Sequence, residues 1–303
     1  MCFSILGSIL FKVTASTDLI RRTQRSVSRL RAEVRFLRQQ LIQQADAAFG
    51  HALRRRGLII KKVLHDGCIV PRSAAAREEY YQLLGHYSFR LFLRDVITHR
   101  QRFAVADLLR YCSEPTARRY LHWLVEHQLA RRTGAHYRLA VDAVSFGPTL
   151  EWFVATALRR EYGIPSAWNV HFEATKTGGD YDVIGLQEGT CVYIEAKSSP
   201  PRNIDAGQAH TFFDRLETLR PQIAIFLNDT QLRMTDKIVP LFTQELRRRV
   251  GTHAAAVQRL EAELFVAGDG LFIANADPDL IGNVGVCLAH YLRQRGLHLN
   301  RIS

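Results

Sequence analysis

GGDYDVIGLQEGTCVYIEAKSSPP, residues 178–201, is the stretch whose reading decides the fold. Asp180 to Leu186 is apolar and β-branched, Gln187-Glu188-Gly189 carries turn residues, and Cys191 to Lys197 is apolar again. That is the pattern of two short strands joined by a tight turn. Strand side chains alternate between faces, so Glu195 and Lys197 point the same way at the end of the second strand. Asp182 lies 13 positions before Glu195, a separation that a hairpin can close. Two carboxylates and an ammonium therefore gather on a sheet otherwise built of Val, Ile and Leu. Asp180 shares a strand face with Asp182 and is a rival for its role.

Such a grouping has a chemical use. Hard divalent cations take oxygen ligands, commonly one or two protein carboxylates together with substrate phosphate and water. A lysine beside them can position a water or offset charge that develops on a phosphate. A bare Glu-x-Lys is equally what a solvated pair on the polar face of an edge strand looks like, and the neighbouring residues have to decide between the two.

The neighbours resemble the PD-(D/E)XK, or restriction-endonuclease-like, nuclease superfamily. The resemblance rests on Asp182-Val183-Ile184, a short gap, and an apolar strand ending in Glu195-Ala196-Lys197. Upstream, Glu151 in the run Gly147-Pro148-Thr149-Leu150-Glu151-Trp152-Phe153-Val154 matches the metal-binding Glu that members often carry on the preceding helix. Downstream, Gln208 and Phe212 match the Gln, with an aromatic four residues later, of some branches. The match covers about Ser145 to Val250, roughly a third of the chain, and departs from the pattern in having Tyr181 where the family name has Pro.

The resemblance implies an α/β fold, a restriction-endonuclease-like central mixed sheet flanked by helices, in the order α-β-β-β-α-β. It implies metal ligation by Asp182, Glu195, Glu151 and the Ala196 carbonyl, with Mg²⁺ or Mn²⁺ as cofactor. Catalysis would fall to Asp182, Glu195, Lys197 and Glu151, with Gln208 accessory, in the in-line hydrolysis of a phosphodiester. Taken alone, Glu151 also suits a first helical turn for dipole reasons, and Gln208 suits a solvent-facing helix position. His171 and His210 have no second His or Cys at ligand spacing and read as surface or packing residues. Trp152, Phe153, Phe212 and Phe213 read as core.

Composition bounds the rest. The chain has 303 residues, 47% hydrophobic and 23% charged, which suits a globular protein of more than one domain. The net charge of +12 is uneven: residues 1–141 carry +15 and residues 142–303 carry −3. A basic first half suits contact with a polyanion, and a near-neutral second half suits chemistry. The five cysteines include no C-x-x-C pair, which excludes a zinc framework or disulfide scaffold and suits a reducing, cytoplasmic setting. No stretch approaches the ~20 apolar residues of a membrane span. Met1 to Val13 is apolar without the flanks of a signal peptide, and reads as a disordered or packed leader. No phosphate-binding G-x-x-x-x-G-K-[ST] run occurs, so nothing indicates ATP use.

The remaining elements read as follows. Residues 1–50 hold a basic amphipathic helix over 17–49, in which Val27, Leu30, Val34, Leu37 and Leu41 recur at spacings 3, 4, 3, 4. Valine at a and leucine at d favour a parallel two-stranded coiled coil, hence a homodimer through 27–41. The same pattern permits a single helix packing its stripe on its own domain. Residues 51–85 form a connector, with a hairpin over Leu58–Val70 turning at His65-Asp66-Gly67, then a helix from Pro71 to Leu84 capped by Ser73. Residues 86–144 read as helix (87–99), shorter helix (105–111), helix (114–128, capped by Ser113) and a hairpin over 129–140. That order resembles a winged helix-turn-helix. Thr116, Arg118, Arg119 and His122 on its third helix, with Arg131, Arg132 and Arg138 on the wing, are the candidate DNA contacts. A winged helix used for protein contacts is the competing reading. Residues 145–303 form the nuclease-like domain: helix to Tyr162, strand 168–174, the hairpin already described, helix 205–219, strand 222–227, helix 235–250, a hairpin over 264–275 and helix 279–294.

The expected function is metal-dependent DNA endonuclease activity in restriction, host defence or repair. A DNA-binding regulator with an inactive nuclease-like domain, and a nuclease acting on RNA, are the alternatives.

Overall fold

A computed structural model describes residues 2–173 and 178–295, with side chains from residue 22 onward except at 38 and 42. Met1 and Ala174, each part of an expectation above, lie outside the described residues. The chain divides into two compact units, Met1–His51 and Ala52–Ser303. Among the described residues, no helix is long and apolar enough to cross a membrane.

The first unit is the body of helix α1 (Cys2–Arg55). It outruns the expected 17–49 at both ends, and its 54 residues span about 80 Å. Ala, Leu, Arg and Gln fill it, and these are strong helix formers. Val27, Leu30, Val34, Leu37 and Leu41 are all exposed, at 39–65% of their surface.

The second unit is organised by an eight-stranded mixed sheet. Its strands are β1 (Ile60–Val63), β4 (Ser166–Phe172), β5 (Tyr181–Gln187), β6 (Thr190–Lys197), β7 (Ile223–Asn228), β8 (Val257–Glu261), β9 (Leu264–Ala267) and β10 (Leu271–Ala274), in the spatial order β1-β4-β5-β6-β7-β10-β9-β8. β4, β5 and β6 run antiparallel in a meander, and the pairings β6–β7 and β7–β10 are parallel. β5, β6 and β7 are buried on both faces, which explains their almost unbroken apolar sequences. Helices α5 (Gly147–Glu161) and α8 (Leu280–Gln294) cover one face. The other face packs through Phe226 on Phe212 of α6 (Ala206–Leu219) and Phe242 of α7 (Ile238–Val250). Gly185 on β5 has no room for a side chain, because a Cβ there would come within 2.8 Å of Ile164.

The segment before the sheet contributes α2 (Ala74–Gly85), α3 (Tyr87–Thr98), a 3₁₀ turn (Val105–Leu108), α4 (Glu114–Glu126) and the hairpin β2 (Ala130–Thr133)–β3 (His136–Leu139). Ser73 caps α2, its hydroxyl accepting from the Ala76 N–H. Phe103 bridges to Tyr137 and extends the hairpin by one more piece of strand. The expected helix over 105–111 is only the 3₁₀ turn, closed by the Asp107 carboxylate, which accepts the Ala104 N–H. Leu93, Leu121 and Leu124 of this segment belong to the same buried cluster as Leu150 of α5 and Ile194 of β6.

Two expectations are corrected. Leu58–Val70 is not a hairpin: β1 pairs antiparallel with β4, with Ile60 opposite Phe172. The second half of the stretch is used elsewhere, since the Ile69 N–H donates to Thr149 Oγ1 and Cys68 Sγ reaches the Pro148 carbonyl at the start of α5. β8 was not expected at all; it is a half-exposed, largely polar edge strand paired with β9. Smaller differences are confined to ends, as where β4 begins at Ser166 and finishes at Phe172.

Candidate active site

The hairpin β5–β6 closes in the register Val183↔Ile194 and Ile184↔Tyr193, which brings Asp182 beside Glu195. Both carboxylates are buried. Asp182 Oδ2 accepts the Ala196 N–H at 2.8 Å, so the strand that carries Glu195 also holds Asp182 in place. Lys197 Nζ donates to Glu195 Oε1 at 2.7 Å, as the same-face alternation requires. Glu151, in the first turns of α5, is buried beside this group, and its Oε2 has no hydrogen-bond partner. Asp180, by contrast, has a side chain 46% exposed against 9% for Asp182.

Three further groups complete the cluster, and none was foreseen. Arg215 of α6 places Nη1 2.8 and 2.6 Å from the two oxygens of Glu195 and 3.8 Å from Asp182 Oδ1. The Tyr193 hydroxyl donates to Glu195 Oε2. Asn228, at the end of β7 and in register with Lys197, is fully buried with neither end of its amide bonded. A signal for Arg215 is present in the sequence: Gln208, Phe212, Arg215 and Leu219 follow one another at helical spacings, and an arginine in a sheet-facing stripe needs a buried counter-charge. Gly179, at φ +83°, lets the backbone pass within reach of this guanidinium; a Cβ would sit 3.4 Å from Arg215 Nη2.

The electrostatics separate the carboxylates. Burial, then the charges of Asp182, Asp180 and Glu195, push Glu151 up to about 9. Burial, then Glu195, pushes Asp182 up to about 8. Burial acts on Glu195 in the same direction, but Lys197 and Arg215 outweigh it and hold this carboxyl below its ordinary value. Lys197 is raised, because Glu195 and Asp182 outweigh its own desolvation. The cluster thus has one firmly ionised carboxylate and two that keep their protons near neutrality for want of positive charge.

Gln208 is engaged elsewhere. Its Oε1 accepts the Asp205 N–H at 3.1 Å while Asp205 Oδ1 accepts its N–H at 2.9 Å, a capping box that starts α6. His210 lies on the outer side of α6 between Glu245 and Asp214.

The donor set of Glu151, Asp182, Glu195 and the Ala196 carbonyl is all oxygen and suits a hard cation such as Mg²⁺ or Mn²⁺. The buried, unpartnered Glu151 Oε2 fits such an ion. As the side chains stand, however, no three His, Cys, Asp or Glu among the described residues converge on one point, and both oxygens of Glu195 are already bonded to cationic groups.

The second set of residues lies on α4 and the β2–β3 hairpin. Arg118, Arg119 and His122 are exposed, with Arg118 bonded to Glu114 one turn back. Thr116 Oγ1 is 3.0 Å from Ser113 Oγ at the helix start. Arg131 and Arg138 face each other across the hairpin, and Arg132 Nε donates to the Gly134 carbonyl at its turn. Beyond α4, the basic segment is tied to the sheet. Arg90 Nε of α3 donates to Asp229 Oδ1 at 2.9 Å, Arg94 also pairs with this carboxylate, and the Asp229 N–H donates to the Lys197 carbonyl at 2.8 Å.

Fold and site together define a mixed α/β protein, with a large mixed sheet flanked by helices and a buried carboxylate–cation cluster on its central strands. The sequence matches no protein-family model and no curated protein. Among solved structures it is similar to a protein from Vibrio cholerae, at 15% identity and a TM-score of 0.43, over 72% of this chain and 57% of that one. It is likewise similar to Can2 from Sulfobacillus thermosulfidooxidans, solved in complex with cyclic tetra-adenylate, at 12% identity and a TM-score of 0.43, over 72% and 56%. The chain spans little more than half the length of these two structures, and the likeness is below the level from which a shared fold or activity follows.

Proposed function

We propose that the chain is a metal-dependent nuclease of the PD-(D/E)XK type that hydrolyses DNA phosphodiesters. The observation that carries this reading is the gathering of buried Asp182 and Glu195 with a partly exposed Lys197 on β5 and β6, beside a Glu151 whose Oε2 has no partner. Asp182, Glu195 and Glu151 are the residues to hold one or two Mg²⁺ or Mn²⁺ ions, with the Ala196 carbonyl as a further oxygen. A bound divalent ion supplies Lewis-acid polarisation of the phosphate and a water of lowered pKa. Lys197, a cation held at Glu195, orients that water or offsets charge on the pentacovalent phosphorus. The protein's part is mostly positioning: Asp182 is fixed by the Ala196 N–H, and Lys197 by its carboxylate partner.

We read residues 86–144 as a winged helix-turn-helix that meets the duplex through α4 and the hairpin. The net charge of +15 over residues 1–141 and the exposure of Arg118, Arg119, Arg131, Arg132 and Arg138 support it. The test is incubation of the purified chain with duplex, single-stranded and branched DNA and with RNA, in Mg²⁺, Mn²⁺ or EDTA. Duplex cleavage that EDTA, Asp182→Ala and Glu195→Ala each abolish is expected. Cleavage that persists in the two variants would place the chemistry elsewhere. A second reading, a DNA-binding regulator with a silent site, is favoured by one observation: the bonds of Arg215 and Lys197 to Glu195. Binding without cleavage of any substrate is the result it requires.

A further inference from the structure

Arg215 stands where the nuclease reading leaves no place for it. Its Nη1 is bonded to both oxygens of Glu195, and Lys197 Nζ also donates to Oε1. The guanidinium is held further by the Tyr181 ring, 5.7 Å from its centre, and by Asp180 Oδ1 at 3.8 Å from Nη2. Only 10% of the side chain is exposed, and Nε has no hydrogen-bond partner. A divalent ion that ligates Glu195 must share its oxygens with this charge, and like charges a few ångströms apart in a buried site repel strongly.

We propose that Arg215 competes with the divalent cation for Glu195, so that the ion binds the free protein weakly and binds tightly once a nucleic-acid phosphate offers the guanidinium another acceptor. The inference rests on the nuclease reading above. A planar guanidinium fork recognises phosphate as well as it recognises carboxylate, and Arg215 Nε is a donor still without a partner. Metal and nucleic acid then bind synergistically. Because such coupling is reciprocal, the ion tightens the nucleic acid by the same factor. Arg215 stands in for the metal's positive charge until a phosphate replaces Glu195 as its acceptor, and the open carboxylate set is assembled only with the phosphate present.

The experiment is titration of Mn²⁺ into the full chain, followed by the loss of the free-ion electron paramagnetic resonance signal, with and without a duplex oligonucleotide. Arg215→Met, which keeps the aliphatic packing, should bind Mn²⁺ about tenfold or more tighter than wild type without DNA. The duplex should tighten Mn²⁺ binding by wild type by a similar factor and leave Arg215→Met unmoved. Equal Mn²⁺ affinity of the two proteins, with circular dichroism unchanged, overturns the competition alone. Failure of both to bind at millimolar Mn²⁺ overturns the metal-dependent reading and this inference with it. Should Arg215→Met not fold, the wild-type comparison decides: a duplex that leaves Mn²⁺ affinity unchanged refutes the proposal.

Discussion

At the scale of single residues, the site divides its labour, and substitutions should reveal the division. Lys197→Ala leaves Arg215 on Glu195, so the fold, DNA binding and Mn²⁺ binding are expected to survive. Turnover should fall by about two orders of magnitude, the range for a lost electrostatic or acid–base group. A wild-type rate for this variant would end the nuclease assignment of β6. Asp180→Ala should be much milder than Asp182→Ala, since Asp180 is half-exposed where Asp182 is buried. The pH dependence has a definite sign. Folding raises Glu151 to about 9 and Asp182 to about 8 from ordinary values of 4.5 and 3.8. The folded state therefore keeps protons that the unfolded chain releases. That contribution is whole below about pH 4 and is lost as pH climbs through the folded values. In EDTA, the wild-type melting temperature should fall from about pH 5 to about pH 9, and fall less in Glu151→Gln, which stays neutral throughout; parallel profiles would contradict the assignment. Asp182, Glu195 and Lys197 were legible because strand alternation and a hairpin count place them. For Arg215 the helical stripe signals only a buried arginine; that its partner is Glu195, 20 residues away, depends on how α6 lies across the sheet.

At the scale of elements, periodicity served where one face was apolar and failed where pairing was decided at a distance. β5, β6 and β7 announced themselves as apolar runs. β1, with the sequence IKKV, was expected as a strand but with the wrong partner: it pairs with the distant β4, not with the residues after His65-Asp66-Gly67. β8 is polar because an edge strand needs only its ladder partner. Val27, Leu30, Val34, Leu37 and Leu41 of α1 are exposed, and the coiled-coil expectation asks for a partner helix to cover them. If a second copy supplies that helix, Leu30→Lys with Leu37→Lys should halve the mass found by sedimentation equilibrium. An unchanged mass would rule out pairing through this seam.

At the scale of the whole molecule, charge was the most legible property and strand order the least. The basic half and the near-neutral half were visible from counts alone. The placement of β1 and β8 at opposite edges of one eight-stranded sheet was not, since nothing local specifies which strand a distant segment joins. The charge asymmetry bears on the proposed contact with DNA. Arg118→Ala with Arg119→Ala should weaken binding and flatten its salt dependence, because fewer counterions are released; the slope of log affinity against log salt, measured by fluorescence anisotropy, checks it. Wild-type affinity and slope would remove α4 from the interface.

The contact between α3 and the end of β7 has a consequence for how the chain comes apart. Asp229 is fully buried and takes its positive charge from Arg90 and Arg94, while its own N–H is bonded to the backbone of Lys197. Removing one side of such a pair typically costs about 3–5 kcal/mol, because the charge left behind has nowhere to go. A fragment starting after residue 144 would carry that orphaned carboxylate at the strand end beside Lys197. The helical segment and the sheet are thus expected to unfold in a single cooperative step, and neither is a cassette that could be excised, swapped or inherited without the other.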